Sequence, residues 1–146
     1  MKQGEPANFA FIEPTKALAV TELPVGDWLY ELKFDGYRAL AFKAGKEARL
    51  ISRNRTNFDN DYPQLVDAVK SLTAKQAIID GEIAALDEHG RASFQLLQSY
   101  GKAKRTPLVY YAFDLLFLDG ADLRSRPLVE RRKRLARLLN WIHGPC

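Results

Sequence analysis

The chain has 146 residues, 47% of them hydrophobic and 27% charged, a balance that excludes disorder and fibrous repeats and fits one ordinary globular domain. Folding at this length buries roughly 68–70% of the surface that the unfolded chain exposes, so neither a disulfide nor a structural metal is required. The lone Cys146 agrees with a reducing compartment, and a net charge of +4 from 22 basic and 18 acidic residues permits a polyanionic partner without requiring one.

No apolar run approaches the ~20 residues of a membrane span; the longest candidate, Leu115 to Leu118, is bounded by Asp114 and Asp119. The first residues are too mixed in polarity for a secretory signal. The expectation is a cytoplasmic protein with no membrane partner.

Residues 1–26, with Pro6, Pro14 and Pro24, read as an extended lead-in with one short helix around Thr15 to Val20. From Trp28 to Asp35 polarity alternates, placing Trp28, Tyr30, Leu32 and Phe34 on one face and Glu31, Lys33 and Asp35 on the other. That spacing predicts a half-buried strand with a charged face. Arg38–Lys43 and Ala48–Arg53, joined by Ala44-Gly45-Lys46, predict an antiparallel hairpin.

Asp61 is placed to cap a helix that has Pro63 in its first turn and Tyr62, Leu65, Val66, Val69 and Leu72 along its apolar side. Gln76–Leu86 predicts a strand ended by the Asp87-Glu88-His89-Gly90 turn, and Ser93 caps a shorter helix through about Ser99. Thr106–Leu118, rich in aromatic and branched residues, predicts a strand buried on both faces. Pro127 opens the last helix, with Leu128, Leu135, Leu138, Leu139 and Ile142 inward and Arg131, Arg132, Lys133, Arg134 and Arg137 coating the rest. Strand pairs and helices mix without strict βαβ alternation, which predicts an α+β fold of mostly antiparallel sheet flanked by helices.

The charged face Glu31, Lys33, Asp35, followed by Gly36 and Arg38, carries the chemistry. At a pKa near 10.4 only about one lysine in a thousand is a neutral nucleophile at pH 7.4. A cation nearby, such as Arg38 or a divalent metal, would favour the neutral amine, whereas Glu31 and Asp35 would oppose it. On this local pattern alone a solvated ion-pair cluster is an equally good reading.

The order Glu31-Leu32-Lys33-Phe34-Asp35-Gly36-Tyr37-Arg38 resembles the Lys-x-Asp-Gly-x-Arg motif of covalent nucleotidyltransferases, the ATP-dependent DNA ligases, RNA ligases and mRNA capping enzymes. Ser52-Arg53-Asn54, Asp80-Gly81-Glu82-Ile83 and Tyr110-Tyr111-Ala112-Phe113-Asp114-Leu115-Leu116-Phe117-Leu118-Asp119-Gly120 follow in that family's order. The first and last segments are most similar to bacterial ligase D and its relatives in end joining.

The resemblance implies a nucleotidyltransferase (ATP-grasp-like) adenylation domain. The lysine at the position of Lys33 would attack the α-phosphate of ATP, expel pyrophosphate and hold AMP for transfer to the 5′-phosphate of nicked duplex DNA. The same likeness puts Arg38 and Arg53 on the nucleotide or the nick, where a guanidinium fork suits phosphate and ribose oxygens. It puts Glu82 on the ribose hydroxyls and on a Mg2+ or Mn2+ ion, and Phe113 against adenine. Glu31 would lie beside the adenine amino group, with backbone atoms able to do the same work, and Asp35 and Gly36 would complete the nucleotide loop. Simpler readings stand beside these: surface arginines, a strand-edge carboxylate for Glu82, and a core aromatic for Phe113.

Gly101-Lys102-Ala103-Lys104 lacks the earlier glycine and the following Ser or Thr of a phosphate loop, and it precedes the Tyr110 segment, the wrong order for the family's final lysine pair. His89 and His143 have no zinc-spaced companion. The seven basic residues between Arg124 and Arg137 suit either DNA phosphates or a solvated helix face.

The family pattern continues past Gly120 with a Glu-Gly segment, a Lys-x-Lys segment and an OB-fold domain. The chain contains no Glu-Gly dipeptide. Residues 1–146 are therefore expected to be a partial adenylation domain, with its motifs within residues 31–120, incomplete at its C-terminal end and without the OB-fold. Phosphate stabilisers absent from it would each be worth roughly 2.7–4 kcal/mol, so ligation by this chain alone should be slight or nil. Open strand edges would favour self-association, and end-joining proteins are candidate partners. An RNA ligase or capping guanylyltransferase, and a non-catalytic nucleotide- or DNA-binding module, are the competing readings.

Overall fold

A computed structural model of the chain describes residues 11–15, 19–22, 25–29, 31–102 and 106–140. Its elements are β1 (Tyr37–Ala44), β2 (Glu47–Ser52), α1 (Pro63–Lys70), β3 (Gln76–Ala85), α2 (Phe94–Gln98), β4 (Leu108–Leu118), β5 (Ala121–Asp122) and α3 (Leu128–Leu139). The five strands form one sheet in the order β2-β1-β3-β4-β5, every neighbouring pair antiparallel. This is the expected α+β arrangement.

Alternation along the strands gives the sheet two unlike faces. Ala39, Ala41, Ile79, Ile83 and Leu115 pack with Leu65, Val66 and Val69 of α1, Leu97 of α2, and Leu135 and Leu138 of α3 in the main core. The other face has a smaller cluster of Leu40, Phe42, Ile78 and Leu116, and beyond it the same strands carry Arg38, Asp80 and Glu82. A row of small residues, Ala39, Gly81 and Ala112, pairs across three strands. The Tyr110 ring lies over it, and its hydroxyl is within bonding reach of the carbonyls of Ala39 (2.8 Å) and Ile79 (3.0 Å).

The hairpin, β3, the Asp87–Gly90 turn and the Ser93 cap match expectation; the Ser93 hydroxyl accepts from the Leu96 amide. Four details differ. Residues 31–34 and Trp28 are not in a strand: none of the strand pairings reaches them, and alternation specifies a face but cannot supply a hydrogen-bonding neighbour. Trp28 and Leu32 are exposed, and Tyr30 lies outside the described residues. Asp61 does not cap α1; Tyr62 is the N-cap, without a side-chain bond, so Pro63, which needs no amide partner, starts the helix.

Third, β4 is only half-buried except at Leu115 and Leu116, because β5 covers just Phe117 and Leu118 of its outer edge. Fourth, Arg131 and Arg132 do not join the solvated coat of α3 but turn toward β4 and the Lys33 segment. The short helix expected around residues 15–20 falls partly, and Ile142 wholly, outside the described residues.

A β-carbon at Gly81 would stand 2.5 Å from Cζ of Tyr110 and 2.6 Å from the Tyr111 carbonyl oxygen. Gly81→Ala is therefore expected to cost about 1–3 kcal/mol, read by calorimetry as a fall in Tm of about 2–4 °C per kcal/mol. An unchanged Tm would contradict this packing.

Candidate active site

On the polar face of the sheet lies an open cleft of about 1170 Å3, with Glu31, Lys33, Gly36, Arg38, Arg53, Glu82 and Phe113 in its lining. Of the sequence-expected site residues, Asp35 alone is not part of that lining; it is exposed and acts on the cleft only through its charge near Glu82. A smaller groove of about 540 Å3, including Thr73, Leu118, Lys133 and Arg137, holds none of the motif residues.

Each cleft residue is placed by a local constraint. Gly36 brings the Lys33 segment against β3, where a β-carbon would sit 2.0 Å from the Ile83 carbonyl oxygen, so no other residue fits this approach. The Gly36 backbone lies beside the Glu82 side chain, and Phe34 stacks on Tyr111 with centroids 3.9 Å apart and planes 9° apart. Lys33 is exposed and makes no hydrogen bond or ion pair with a described residue. Arg53 is presented by a turn that the Ser52 hydroxyl closes, accepting from the amides of Asn54 (3.2 Å) and Thr56 (3.0 Å). It is the one cleft arginine without an ion pair among the described residues.

Arg38 forks onto Asp80, Nε to Oδ1 at 3.0 Å and Nη2 to Oδ2 at 2.6 Å, and donates Nη1 to the Thr15 carbonyl at 2.6 Å. Its guanidinium also lies 5.4 Å from the centroid of Phe113, within cation–π range. The Asp80 bond pushes the Arg38 pKa above its ordinary value despite partial burial. Arg38, expected as a cation opposing the lysine ammonium, instead has its charge committed to Asp80.

Phe113 owes its position to irregular pairing. The β3–β4 register shifts between Asp80 and Gly81: Gly81 pairs with Ala112 and Asp80 with Asp114, leaving Phe113 as an extra residue on β4. A bulge re-aims a side chain and frees backbone groups; the Phe113 carbonyl accepts from Arg132 Nε at 3.2 Å. Arg132 also pairs with Glu31, and Arg131 forks onto Asp114 at 2.8 and 3.0 Å. Asp80, Asp114, Arg131 and Arg132 all line the cleft; the two aspartates had no expected role, and the two arginines were expected on DNA phosphates or a solvated helix face. The visible signal was the run of arginines one turn into α3, which amphipathic counting assigns to solvent.

Burial pushes the Glu82 carboxyl above its ordinary pKa, offset in part by Arg38 and the Gly36 amide. Among the described residues no group of three or more His, Cys, Asp or Glu side chains could hold a metal, and the Asp80 and Asp114 carboxylates are taken by arginines. Glu82, the carboxylate expected to meet Mg2+ or Mn2+, belongs to no such group among the described residues. No described helix is long and apolar enough to cross a membrane.

Residues 11–145 match the family model for the ATP-dependent DNA ligase domain. The chain belongs to the ATP-dependent DNA ligase family. It is 39% identical over 130 residues to the multifunctional non-homologous end joining protein LigD of Pseudomonas aeruginosa, covering 88% of this chain and 16% of that protein. It is 37% identical over 133 residues to DNA ligase C of Mycobacterium tuberculosis, covering 85% and 37% respectively. The fold of this ligase-family chain is similar to mycobacterial DNA ligase D complexed with ATP and MES, at a TM-score of 0.68 and 37% identity, over 75% of this chain and 36% of that one. The chain thus spans well under half the length of these relatives.

Because the folded chain binds the Glu82 proton more tightly than the unfolded chain, stability falls as pH rises from the ordinary carboxyl pKa through the raised one. Glu82→Gln removes that loss. By calorimetry it is expected to raise Tm at pH 7 and to leave Tm at pH 3 unchanged; a lower Tm at pH 7 would contradict the burial argument.

Proposed function

We propose that this chain is the first part of the adenylation domain of a LigD-like DNA ligase and that Lys33 is its nucleophile. In the reaction the neutral Nζ forms a bond to the α-phosphorus of ATP, the bond from that phosphorus to the bridging oxygen breaks, and pyrophosphate leaves. The lysine then holds AMP as a phosphoramidate, to be passed to the 5′-phosphate of nicked duplex DNA before the strand is sealed. The observation that carries this reading is the convergence of Lys33, Arg53, Glu82 and Phe113, drawn from four separated segments, on one cleft.

The roles follow from what each group offers. Arg53, with no described ion-pair partner, suits the nucleotide phosphates or the DNA backbone. Glu82 offers two acceptor oxygens for ribose hydroxyls. Phe113 offers a flat face for adenine, stacking of the kind worth roughly 1–3 kcal/mol per base. Arg38 can add two further N–H donors while its fork holds Asp80. Mg2+ or Mn2+ is expected with the triphosphate, bound with groups beyond those described, and no step above is routed through it.

The relative named for non-homologous end joining supports a role in end joining, with nicked DNA and end-joining proteins as the proposed partners and the cytoplasm as the proposed compartment. Among the described residues only β5 pairs with the outer edge of β4, at Phe117 and Leu118, which supports self-association as a second consequence.

The test is intact mass after incubation with Mg2+ and either ATP or GTP, on the full-length protein and on this chain. With ATP the full-length protein should gain the mass of one AMP, Lys33→Ala should gain none, and this chain should gain far less. An unmodified full-length protein would overturn the enzyme reading in favour of a binding module. An adduct that survives Lys33→Ala would overturn the residue, and a preference for GTP would favour capping chemistry.

A further inference from the structure

We infer that Arg132 is a positioning residue for the nucleophile segment, holding residues 31–35 in place against the Phe113 bulge in the middle of β4 through one guanidinium that bonds both. The inference rests on the reading of Lys33 as nucleophile. The segment has no strand partner, so its place depends on a few contacts: the close approach of Gly36 to the Ile83 carbonyl, the Phe34 stack on Tyr111, and the ion pair of Glu31 with Arg132.

The last contact differs from the others in what it joins. Arg132 Nε donates to the Phe113 carbonyl at 3.2 Å while Nη2 holds Glu31, 101 residues away in sequence. One rigid fork therefore spans the cleft between the segment bearing Lys33 and the bulge bearing Phe113. The helix beneath is itself fixed, because the neighbouring Arg131 is forked onto Asp114 and donates to the Arg126 carbonyl at 2.8 Å. The Arg132 and Glu31 side chains are 30% and 42% exposed, so the pair contributes little to global stability. Its consequence is geometric, since two anchored ends fix the separation of nucleophile and base platform, and misplacement by about 1 Å can cost 10²-fold in rate.

A lysine at position 132 could reach one acceptor but not both, because an ammonium is a point donor where guanidinium is a planar fork. This also gives the Glu31 side chain a structural task and leaves backbone atoms beside it for adenine.

Single-turnover formation of the lysine–AMP adduct in the full-length protein tests the inference, followed by mass across ATP concentrations. Arg132→Ala should lower the saturating rate roughly 10- to 100-fold while changing the half-saturating ATP concentration less than about threefold. Arg132→Lys should recover part of the loss, and adding Glu31→Ala to Arg132→Ala should lower the rate no more than about twofold further. Leu135→Val, a core change that lowers Tm without touching the cleft, should leave the saturating rate intact.

An Arg132→Ala rate within twofold of wild type would overturn the inference. So would a defect confined to half-saturation, multiplicative loss in the double variant, or an equal fall in Leu135→Val at matched Tm. A wild-type protein that forms no adduct would instead remove the reading of Lys33 on which all of this stands.

Discussion

Two aspartates face one another across the middle of the sheet, and the cleft is organised by how their charges are met. Asp80 of β3 pairs in register with Asp114 of β4, and Asp80 is almost wholly buried. Like charges directly opposite are destabilising, and a buried carboxylate without a partner costs several kcal/mol. Each is answered by its own arginine fork, Arg38 from β1 and Arg131 from α3. The first fork ties β1 to β3, and the second ties α3 to β4. They leave Glu82, Lys33 and Arg53 as the charged groups of the cleft with no ion pair among the described residues.

The same pairs explain why the motif residues stand where they do. Arg38 is fixed on Asp80 two residues after Gly36, and Gly36 is pressed onto β3 where nothing larger fits. The lysine segment therefore has a defined exit from β1 although it belongs to no strand. On the other side the shift of register that sets Asp80 against Asp114 is what makes Phe113 the extra residue of its strand. The aromatic face and the lysine are positioned by one network, with Arg132 joining its two ends.

Much of this was legible in the sequence. The hairpin, α1, β3 and the Ser93-capped helix follow from alternation, turn glycines and apolar spacing, and four ordered motifs pointed to the residues that line the cleft. What the sequence hid has physical causes. Alternation from Trp28 to Asp35 looks like a strand because spacing carries no information about a neighbouring backbone. The bulge at Phe113 is invisible because an extra residue in one strand shows only when its partner is laid beside it. Arg131 and Arg132 look solvated on a helical wheel, yet their stems are long enough to reach around the helix to a carboxylate and a carbonyl. Arg38 looked like a free cation since Asp80, its partner, lies 42 residues away.

The central claim is that these distant segments form one nucleotide cleft, which the binding of a non-hydrolysable nucleotide reports without any chemistry. Backbone amide shifts of this chain, followed by NMR as α,β-methylene-ATP is added, should move saturably and most at Lys33, Gly36, Glu82 and Phe113. Shifts gathered instead around Thr73, Leu118, Lys133 and Arg137, or no saturable shifts at all, would contradict the account.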